Sequence, residues 1–416
     1  MEISEDIVIV GAGIAGLATA LALKRVGLRA LVLEKSPELR STGAAIGLLS
    51  NGCIALHHLG VAHKLISIYP PTLTVSVTNV ANGATQETSY TGVQLIQGKR
   101  NEIRLVPRKD LMEALVEELP SETIRFSSKL ISIQTHITHE GLSIATLQLD
   151  DGTIIKAKVL IGCDGLHSVV AKWLGLKAPV HSGRAAVRGL TVFPQGHGFK
   201  QESQQFIKPG LRGAFVPLTD TDLYWYLIYH SSSTGEEFGG DPKLLVREVT
   251  ENLAKDFPLT YLKVVRHADL ASVTWAPLMF RQPWVLIRGH LSEGNVTVAG
   301  DAMHPMQPDL GQGGSSALED AVILGRHIGN SFLQNDGRIM PAEVTGAIEG
   351  YVMERRWRVI GLITASYLAA WAQQAKTGWL MKLIRDIIYY KLLHSFVFGS
   401  TYFDCGELPR VPTKLD

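Results

Sequence analysis

The sequence predicts an α/β fold in which a parallel sheet is interrupted by an inserted antiparallel sheet and is followed by C-terminal helices. Three largely apolar, β-branched runs, at 7–10, 159–161 and 295–299, are typical of buried parallel strands. Each run is followed by a glycine-containing turn and then by a segment with helical character. Between the second and third runs, polar and apolar residues alternate, which indicates antiparallel strands with one covered face. The parallel sheet is therefore expected to be discontinuous in sequence.

The first element pair forms a complete βαβ unit. A strand at 7–10 is followed by a glycine-rich turn, a helix at 17–26 and a second strand at 31–33. Gly27 follows the helix, at a position where a left-handed residue commonly ends one. Glu34 comes directly after the second strand. This unit predicts a Rossmann-type fold for the first part of the chain.

The remaining elements follow from the same periodicities. Further strands are predicted at 73–78, 103–106, 130–134, 142–149, 213–217, 224–229 and 295–299. Helices are predicted at 111–119, near 243–255, and at 259–267, 314–330 and 341–374. The predicted domains are a discontinuous cofactor-binding domain (1–70, 98–180 and 284–335), an antiparallel substrate-binding domain (71–97 and 181–283) and a C-terminal helical region (336–416).

The composition argues against several classes of protein. The 416 residues are 46% hydrophobic and 19% charged, which is typical of a globular chain with a sizeable core. The 40 Lys and Arg residues nearly balance the 39 Asp and Glu residues, so the net charge of +1 gives no reason to expect nucleic acid or an anionic membrane as partner. The three cysteines form no CxxC pair, which favours reduced thiols and argues against a metal site.

We expect a cytoplasmic protein without a transmembrane segment. The acidic start, with Glu2 and Glu5, does not resemble a signal peptide, and charged residues interrupt the apolar stretch at 379–398. The amphipathic stretch at 379–402 is expected to pack against the body, and contact with a membrane surface or a second subunit is the alternative. A monomer and a homodimer therefore both stay open.

The first candidate motif is Gly11-x-Gly13-x-x-Gly16. Gly11 permits a tight turn, Gly13 lets the backbone approach a pyrophosphate, and Gly16 lets the helix pack on the strand. The helix N-terminus offers free N–H groups to phosphates. Glu34 lies about twenty residues beyond the motif, where a carboxylate accepts hydrogen bonds from a ribose. The motif alone does not separate FAD from NAD.

Two later strands also deliver an aspartate at their carboxyl ends. Asp164 and Gly165 follow the strand at 159–161, where a plain strand-to-helix turn is the alternative interpretation. Asp301 follows the strand at 295–299 and is suited to accept hydrogen bonds from the hydroxyl groups of a polyol such as a ribityl chain. The glycines at 311–314 then open a helix whose N-terminus would stabilise an anionic reduced flavin.

Together these motifs resemble the group A flavoprotein monooxygenases, the p-hydroxybenzoate and salicylate hydroxylase family, and are most similar to the plant members. The resemblance covers nearly the whole chain. It implies that the FAD pyrophosphate is held by Gly11, Gly13, Ile14, Ala15 and Gly16. It implies that Glu34, with Lys35 beside it, and the backbone of Leu130 contact the adenosine part of FAD. It implies that the ribityl chain and the flavin ring are contacted by Arg108, Asp301, Ala45, Gly311, Gly313 and Gly314. Asp164 would serve both FAD and transiently bound NAD(P)H.

Two positions depart from the family pattern. The arginine often found seven positions after the DG aspartate is Ala171 here, and the asparagine often following the GQGG run is Ser315. The resemblance implies hydride transfer from NAD(P)H to FAD, addition of O2 to form a C4a-hydroperoxide, and hydroxylation of a small aromatic or heteroaromatic substrate. The alternatives are an oxidase or reductase on the same fold and a flavin-binding regulatory protein without turnover.

Arg212 and Tyr224 are the candidate substrate-side residues. A similar arrangement of Arg and Tyr occurs in FAD-dependent urate hydroxylases, and Arg212 would suit an anionic or carbonyl-rich substrate. The alternative is a surface arginine in a hairpin and a core tyrosine. The strand that contains Arg188 often faces the pocket in the family that the sequence resembles, but Arg188 is interpreted as an exposed strand residue. His304 is interpreted as a structural histidine rather than a catalytic base.

Overall fold

The computed structural model of the protein describes residues 2–39, 45–89, 103–137, 143–231, 240–374 and 401–410. Most of the aromatic stretch at 379–402 therefore lies outside the described residues, as does the first residue of the strand predicted at 142–149. Within the described ranges, no helix combines the length and the apolar character that a membrane span requires.

The strands and helices of the described ranges alternate as expected for an α/β protein. In chain order the strands are β1 (Glu2–Val10), β2 (Leu31–Leu33), β3 (Ala45–Leu48), β4 (Thr74–Asn79), β5 (Thr85–Ser89), β6 (Arg104–Pro107), β7 (Ile124–Arg125), β8 (Leu130–Ile137), β9 (Ser143–Leu149), β10 (Ile154–Gly162), β11 (Val180–Val192), β12 (Glu202–Lys208), β13 (Leu211–Pro217), β14 (Asp222–His230), β15 (Thr274–Phe280), β16 (Ser292–Glu293) and β17 (Val296–Val298). The helices are α1 (Ile14–Arg25), α2 (Ser50–Leu59), α3 (Ala62–Ile66), α4 (Arg108–Val116), α5 (Val169–Trp173), α6 (Pro242–Arg247), α7 (Leu259–Arg266), α8 (Pro283–Arg288), α9 (Gly313–Gln334) and α10 (Pro341–Gln374).

The first sheet has the order β16-β17-β10-β1-β2-β7, and the β8–β9 hairpin pairs with the first half of β10. Strands β17, β10, β1, β2 and β7 run parallel. In the register, Val10 pairs with both Leu33 and Gly162, and Gly162 pairs with Val298. The carboxyl ends of these four strands are therefore level at one edge of the sheet. This edge is where a doubly wound sheet binds ligands.

Helices α1 and α9 pack against each other beside this sheet. Two glycines of α9 allow the helices to approach closely. A Cβ on Gly325 would lie only 2.7 Å from the Ala22 Cβ, and a Cβ on Gly329 only 3.0 Å from the Val26 Cβ, so a larger residue at either position would be too close to α1 or its C-cap. Residues 7–9 of β1 are completely buried. The α/β fold predicted from the sequence is confirmed, and α1 extends three residues further towards its N-terminus than predicted.

The second sheet has the order β15-β11-β14-β13-β12-β4-β5. Its pairs are antiparallel except β12 with β4, which run parallel. Alternate residues of β13 and β14, such as Phe215 and Trp225, are buried in a cluster with Tyr261 of α7. The opposite face carries Arg212, Tyr224 and their neighbours and turns towards the first sheet. One face of the sheet is therefore covered by helices, as the alternation predicts.

The helix predicted near 243–255 is interrupted. Helix α6 ends at Arg247, and Glu248–Leu253 forms a π-helical turn. The hydroxyl of Thr250 donates to the carbonyl of Val246 at 2.9 Å. A side-chain hydroxyl that bonds back to the preceding turn commonly distorts a helix.

Candidate functional site

The glycine-rich turn between β1 and α1 has no room for a side chain at two positions. Gly11 has φ +102°, and a Cβ there would lie 2.5 Å from the carbonyl oxygen of Cys163. A Cβ on Gly16 would lie 1.9 Å from the carbonyl oxygen of Gly11. At Gly13, the nearest described atom to a Cβ would be Nη2 of Arg108, at 4.0 Å. The turn is thus tightly packed at Gly11 and Gly16 and open at Gly13.

Helix α1 begins behind this opening. Gly13 is its N-cap, no described side chain caps it, and its first turn, which includes Ile14 and Ala15, carries no acidic residue. The N–H groups at a helix N-terminus lack intrahelical partners and lie at the positive end of the dipole. Arg108, the first residue of α4, adds a guanidinium. This arrangement fits a pyrophosphate.

Glu34 follows β2 at the same edge, where backbone N–H groups fix its carboxylate. Its Oε2 accepts from the N–H of Ala12 at 2.9 Å, and its Oε1 accepts from the N–H of Ser36 at 2.9 Å. Each carboxylate oxygen has further acceptor capacity, so the group can still receive ribose hydroxyls. Lys35 beside it is exposed, and Leu130 is buried at the start of β8.

Asp164 follows β10 at this edge and caps the next helix. Its carboxylate accepts from the Ser168 hydroxyl at 2.5 Å, and from the N–H groups of Val169 and Val170 at 2.6 and 3.4 Å. Burial raises the pKa of Asp164, and these hydrogen bonds oppose the shift. The carboxylate therefore has a local structural role, and its part in FAD and NAD(P)H binding stays a prediction.

Asp301 follows β17 and reaches solvent at the same edge. The surrounding protein limits its hydration and so raises the pKa of Asp301, while His304 and Arg108 act in the opposite direction. The preceding Gly300 has φ +59°, and a Cβ there would lie 2.7 Å from the Cβ of Ala15. The structure thus brings the Asp301 carboxylate, the Arg108 guanidinium and the start of α1 together.

The glycine-rich start of α9 lies against β3. A Cβ on Gly314 would lie 2.5 Å from Cγ2 of Ile46. Gly311 has φ +64°, and a Cβ on Gly313 would have no described atom within 4 Å. Ala45 begins β3 and is half-buried. These residues were predicted to approach the flavin, and the structure places the loop and the strand side by side.

Both departures from the family pattern have local explanations. The Ser315 hydroxyl accepts from the N–H of Leu49 at 3.2 Å and donates to the carbonyl of Gly47 at 3.4 Å, which ties β3 to α9. Ala171 is buried in α5, only 2% exposed, so this position is part of the core.

An ion cluster connects the second sheet to the loop before Gly311. Arg184 donates from Nη1 to Oδ1 of Asp309 at 3.0 Å and from Nη2 to Oδ2 at 2.6 Å. Arg212 lies further away, with Nη1 at 3.9 Å from the Asp309 carboxylate, and its Nη2 donates to Gln205 at 3.0 Å. Arg212 is 20% exposed and faces this loop, so the structure does not support a surface hairpin arginine.

Tyr224, Tyr226 and Arg188 lie on the same face of the second sheet as Arg212. Arg188 pairs with Tyr226 across the strands, and the two tyrosine rings are 5.9 Å apart. Burial raises the pKa of Tyr224 to about 12, and Arg188 opposes this shift. The interpretation of Arg188 as an exposed residue is wrong: it is half-buried and close enough to Asp301 to lower the pKa of that carboxyl. Its alternate position on β11 turns it towards the first sheet.

Sequence reasoning missed a buried polar network behind Asp301. Asp320 of α9 accepts from the N–H of Gly300 at 2.7 Å and from Nε2 of His304 at 2.6 Å, and Arg355 of α10 bonds its other oxygen. His304 is completely buried, consistent with a structural role. A signal was available, since an adjacent Glu319 and Asp320 inside an apolar helical segment must find buried cations.

Two further features lie away from these residues. A cavity of about 360 Å³ is lined by Pro37, Glu38 and Leu39 after Glu34, by Lys109, Met112 and Glu113 of α4, and by Phe126 after β7. Possible metal ligands of His58, Asp404 and Cys405 lie within 4.8 Å of one another. Burial raises the pKa of Cys405 to about 12, which disfavours the thiolate that binds metal.

The fold and the four level strand ends define a dinucleotide-binding protein in which a second sheet faces the loop before α9. A family model described as "FAD binding domain" matches residues 4–337. The curated "Monooxygenase 2" of Arabidopsis thaliana is 41% identical over 415 residues, covering 98% of this chain and 99% of the relative. A "3-amino-4-hydroxybenzoate 2-monooxygenase" of Streptomyces cremeus is 30% identical over 325 residues, covering 76% of this chain and 77% of the relative.

The chain therefore belongs to the FAD-binding-domain family, among the FAD-dependent monooxygenases. The solved structure of Klebsiella pneumoniae HpxO complexed with FAD and uric acid superposes with a TM-score of 0.78 at 22% identity, covering 96% of each chain. That likeness concerns the fold. FAD is the cofactor, and the open Gly13, the uncapped start of α1 and the nearby Arg108 fit its pyrophosphate.

Proposed function

We propose that the protein hydroxylates a small aromatic or heteroaromatic molecule with FAD, NAD(P)H and O2. The main supporting observation is the approach of the second sheet to the loop that opens α9. Arg212 lies 3.9 Å from Asp309, two residues before Gly311, and Arg188 is close enough to Asp301 to influence its pKa. A substrate on this face would lie between the sheet and the loop that opens α9.

Residues at different strand ends would contact different parts of FAD. We propose that the amides at Gly13–Gly16 and Arg108 hold the pyrophosphate, Glu34 the adenosine ribose and Asp301 the ribityl chain. When bound, FAD supplies the hydride acceptance and oxygen activation that amino-acid side chains lack. In the overall reaction one oxygen atom enters the substrate, the other leaves as water, and NAD(P)H supplies the two electrons.

The residues of the second sheet would bind and orient the substrate. Tyr224 and Tyr226, whose ring centroids are 5.9 Å apart, would supply aromatic surface for an aromatic molecule. With its pKa raised to about 12, the Tyr224 hydroxyl stays protonated at neutral pH and can donate a hydrogen bond. Arg212 adds a guanidinium to this face, with Nη1 at 3.9 Å from the Asp309 carboxylate. An electron-rich or anionic ring suits this setting.

The comparisons support an aromatic substrate. One relative is named for an aminohydroxybenzoate and one neighbouring structure contains uric acid. The proposed division of labour follows the predicted domains, with 71–97 and 181–283 binding substrate and 1–70, 98–180 and 284–335 binding FAD. Cytoplasmic location and a monomeric or homodimeric state stay predictions.

A mass-spectrometric screen of the yellow holoprotein tests the proposal. Phenolic, purine and indole compounds would be incubated with NADH or NADPH under isotopically labelled O2. We expect a product that carries one labelled oxygen atom, formed together with substrate-stimulated NAD(P)H oxidation. Oxygen uptake without a mass gain in the product would instead identify an oxidase. Absence of any substrate-dependent turnover across the screen would favour the regulatory alternative.

A further inference from the structure

Arg355 of α10 is a completely buried arginine that bonds to three residues of α9. It donates to Oδ1 of Asp320 at 2.6 Å, to Oε2 of Glu319 at 2.5 Å and to the Ser316 hydroxyl at 2.8 Å. Arg355 lies beyond residues 4–337, which the FAD-binding family model matches. The C-terminal helical region thus contributes a charged group to the cofactor-binding part of the chain.

Asp320 links Arg355 to the turn at 300–304, which contains Asp301. Its Oδ2 accepts from the N–H of Gly300 at 2.7 Å and from Nε2 of His304 at 2.6 Å, so one oxygen holds both ends of the turn. Gly300 has little freedom to shift, because it adopts φ +59° and lies against Ala15. Only Asp301, between these fixed points, reaches solvent at the sheet edge.

A second contact from α10 fixes the strand that leads into the turn. The Tyr351 hydroxyl donates to the carbonyl of Val298, the last residue of β17, at 3.0 Å. Tyr351 and Arg355 are four residues apart and therefore lie on one face of the helix. This face of α10 holds the strand end and, through Asp320, the turn.

We infer that Arg355 is a positioning residue for the cofactor site, which acts through Asp320 to hold residues 300–304 in the conformation that presents Asp301 to FAD. The inference rests on the proposed role of Asp301 at the ribityl chain. A buried ion network contributes little net stability, since desolvation offsets much of the attraction. Its effect on geometry is larger, because charge-assisted hydrogen bonds restrict each group to one arrangement.

The same two helices provide a matched control. Arg326 of α9 and Glu354 of α10 form an ion pair at 2.5 Å that is about one-third exposed, and its hydrogen bonds do not involve the turn. Arg326→Gln should weaken α9–α10 packing without changing Asp301. Arg355→Lys keeps the charge but replaces three separate donor nitrogens by one, so it cannot reproduce the planar contacts to Asp320, Glu319 and Ser316. Asp320→Asn keeps the shape and removes the carboxylate.

The experiment measures FAD release from the full-length holoprotein by recovery of flavin fluorescence on dilution, together with the visible circular dichroism of bound FAD. We expect Arg355→Lys and Asp320→Asn each to raise the FAD Kd about tenfold or more and to alter the dichroism, with Arg326→Gln near wild type. Asp301→Asn should also raise the Kd. In the double variant Asp301→Asn/Asp320→Asn, the FAD Kd should then rise by less than the product of the fold-increases in the two single variants.

The outcomes separate the two ideas. If Asp301→Asn weakens FAD binding and Asp320→Asn does not, the positioning role is overturned and the proposed cofactor contact survives. The positioning role is also overturned if the fold-increase in the FAD Kd of the double variant equals the product of the two single increases. If Asp301→Asn leaves the Kd unchanged, the proposed cofactor contact fails and the inference fails with it. Should Arg355→Lys not fold, Asp320→Asn alone decides the question.

Discussion

Replacing Gly13 by alanine should separate cofactor binding from folding. Gly13 has φ −81° and ψ −174°, a conformation that alanine adopts without strain. The new Cβ would come no closer than 4.0 Å to Nη2 of Arg108, the nearest described atom. The methyl group would occupy the opening through which a pyrophosphate is proposed to approach the first amides of α1.

The two expected effects differ in size. Alanine is a poorer N-cap than glycine, so the apoprotein should lose at most about 1 kcal/mol of stability, a shift of a few degrees in Tm. A charge-assisted hydrogen bond contributes about 1.5–3 kcal/mol. Loss of one such bond to the pyrophosphate should therefore raise the FAD Kd about 10- to 150-fold.

Gly16→Ala provides the contrast. Its Cβ would lie 1.9 Å from the carbonyl oxygen of Gly11, so α1 must move and the apoprotein should unfold at a clearly lower temperature. Thermal unfolding of both apoproteins and fluorescence-detected FAD titrations make the comparison. The reasoning is refuted if Gly13→Ala binds FAD like wild type, or if it destabilises the apoprotein as much as Gly16→Ala does.

Two further predictions concern the buried carboxylate and the substrate side. Burial opposes ionisation of Asp320, yet His304 and Arg355 outweigh it and lower its pKa to about 2. The stabilisation from this lowered pKa is fully present above about pH 4 and is lost as the pH falls towards 2. In wild type this group should make the free energy of unfolding fall by about 2–3 kcal/mol over this pH range, and Asp320→Asn should remove that fall. Urea unfolding at several pH values measures it, and the same pH profile in wild type and variant would contradict the prediction. Arg212→Ala should reduce substrate-stimulated NAD(P)H oxidation at least about tenfold while retaining FAD. The partly exposed Lys208, which pairs with Asp256, provides the control Lys208→Ala, which should leave this oxidation unchanged. Unchanged kinetics in Arg212→Ala would dismiss its role.

Much of the cofactor side was predictable from the sequence because its signals are local. Strand, glycine turn and helix follow one another within 7–26. The close packing at Gly16 is against Gly11 of the same unit, whereas that at Gly11 is against Cys163, which follows the neighbouring strand β10. Glu34 and Asp301 could be predicted for a related reason. Carboxyl ends of parallel strands meet at one sheet edge, so a polar residue directly after such a strand falls near the ligand.

The substrate side could not be predicted in the same way. Arg184, Arg212 and Asp309 come from three distant stretches, and no periodicity indicates that they meet. The direction of Arg188 depends on which face of the second sheet the helices cover, and alternation alone leaves both faces possible. For this reason the exposed interpretation of Arg188 was wrong.

The sequence by itself determined the class of fold, the glycine turn and the level strand ends at which we propose that FAD binds. Backbone conformation and hydrophobic burial encode these features within short segments. Only the tertiary structure decided that Arg355, Asp320 and His304 support the turn at Asp301, and that Arg184 rather than Arg212 binds both oxygens of Asp309. Such polar contacts join groups far apart in the chain, and their strength depends on distances and burial that exist only after folding.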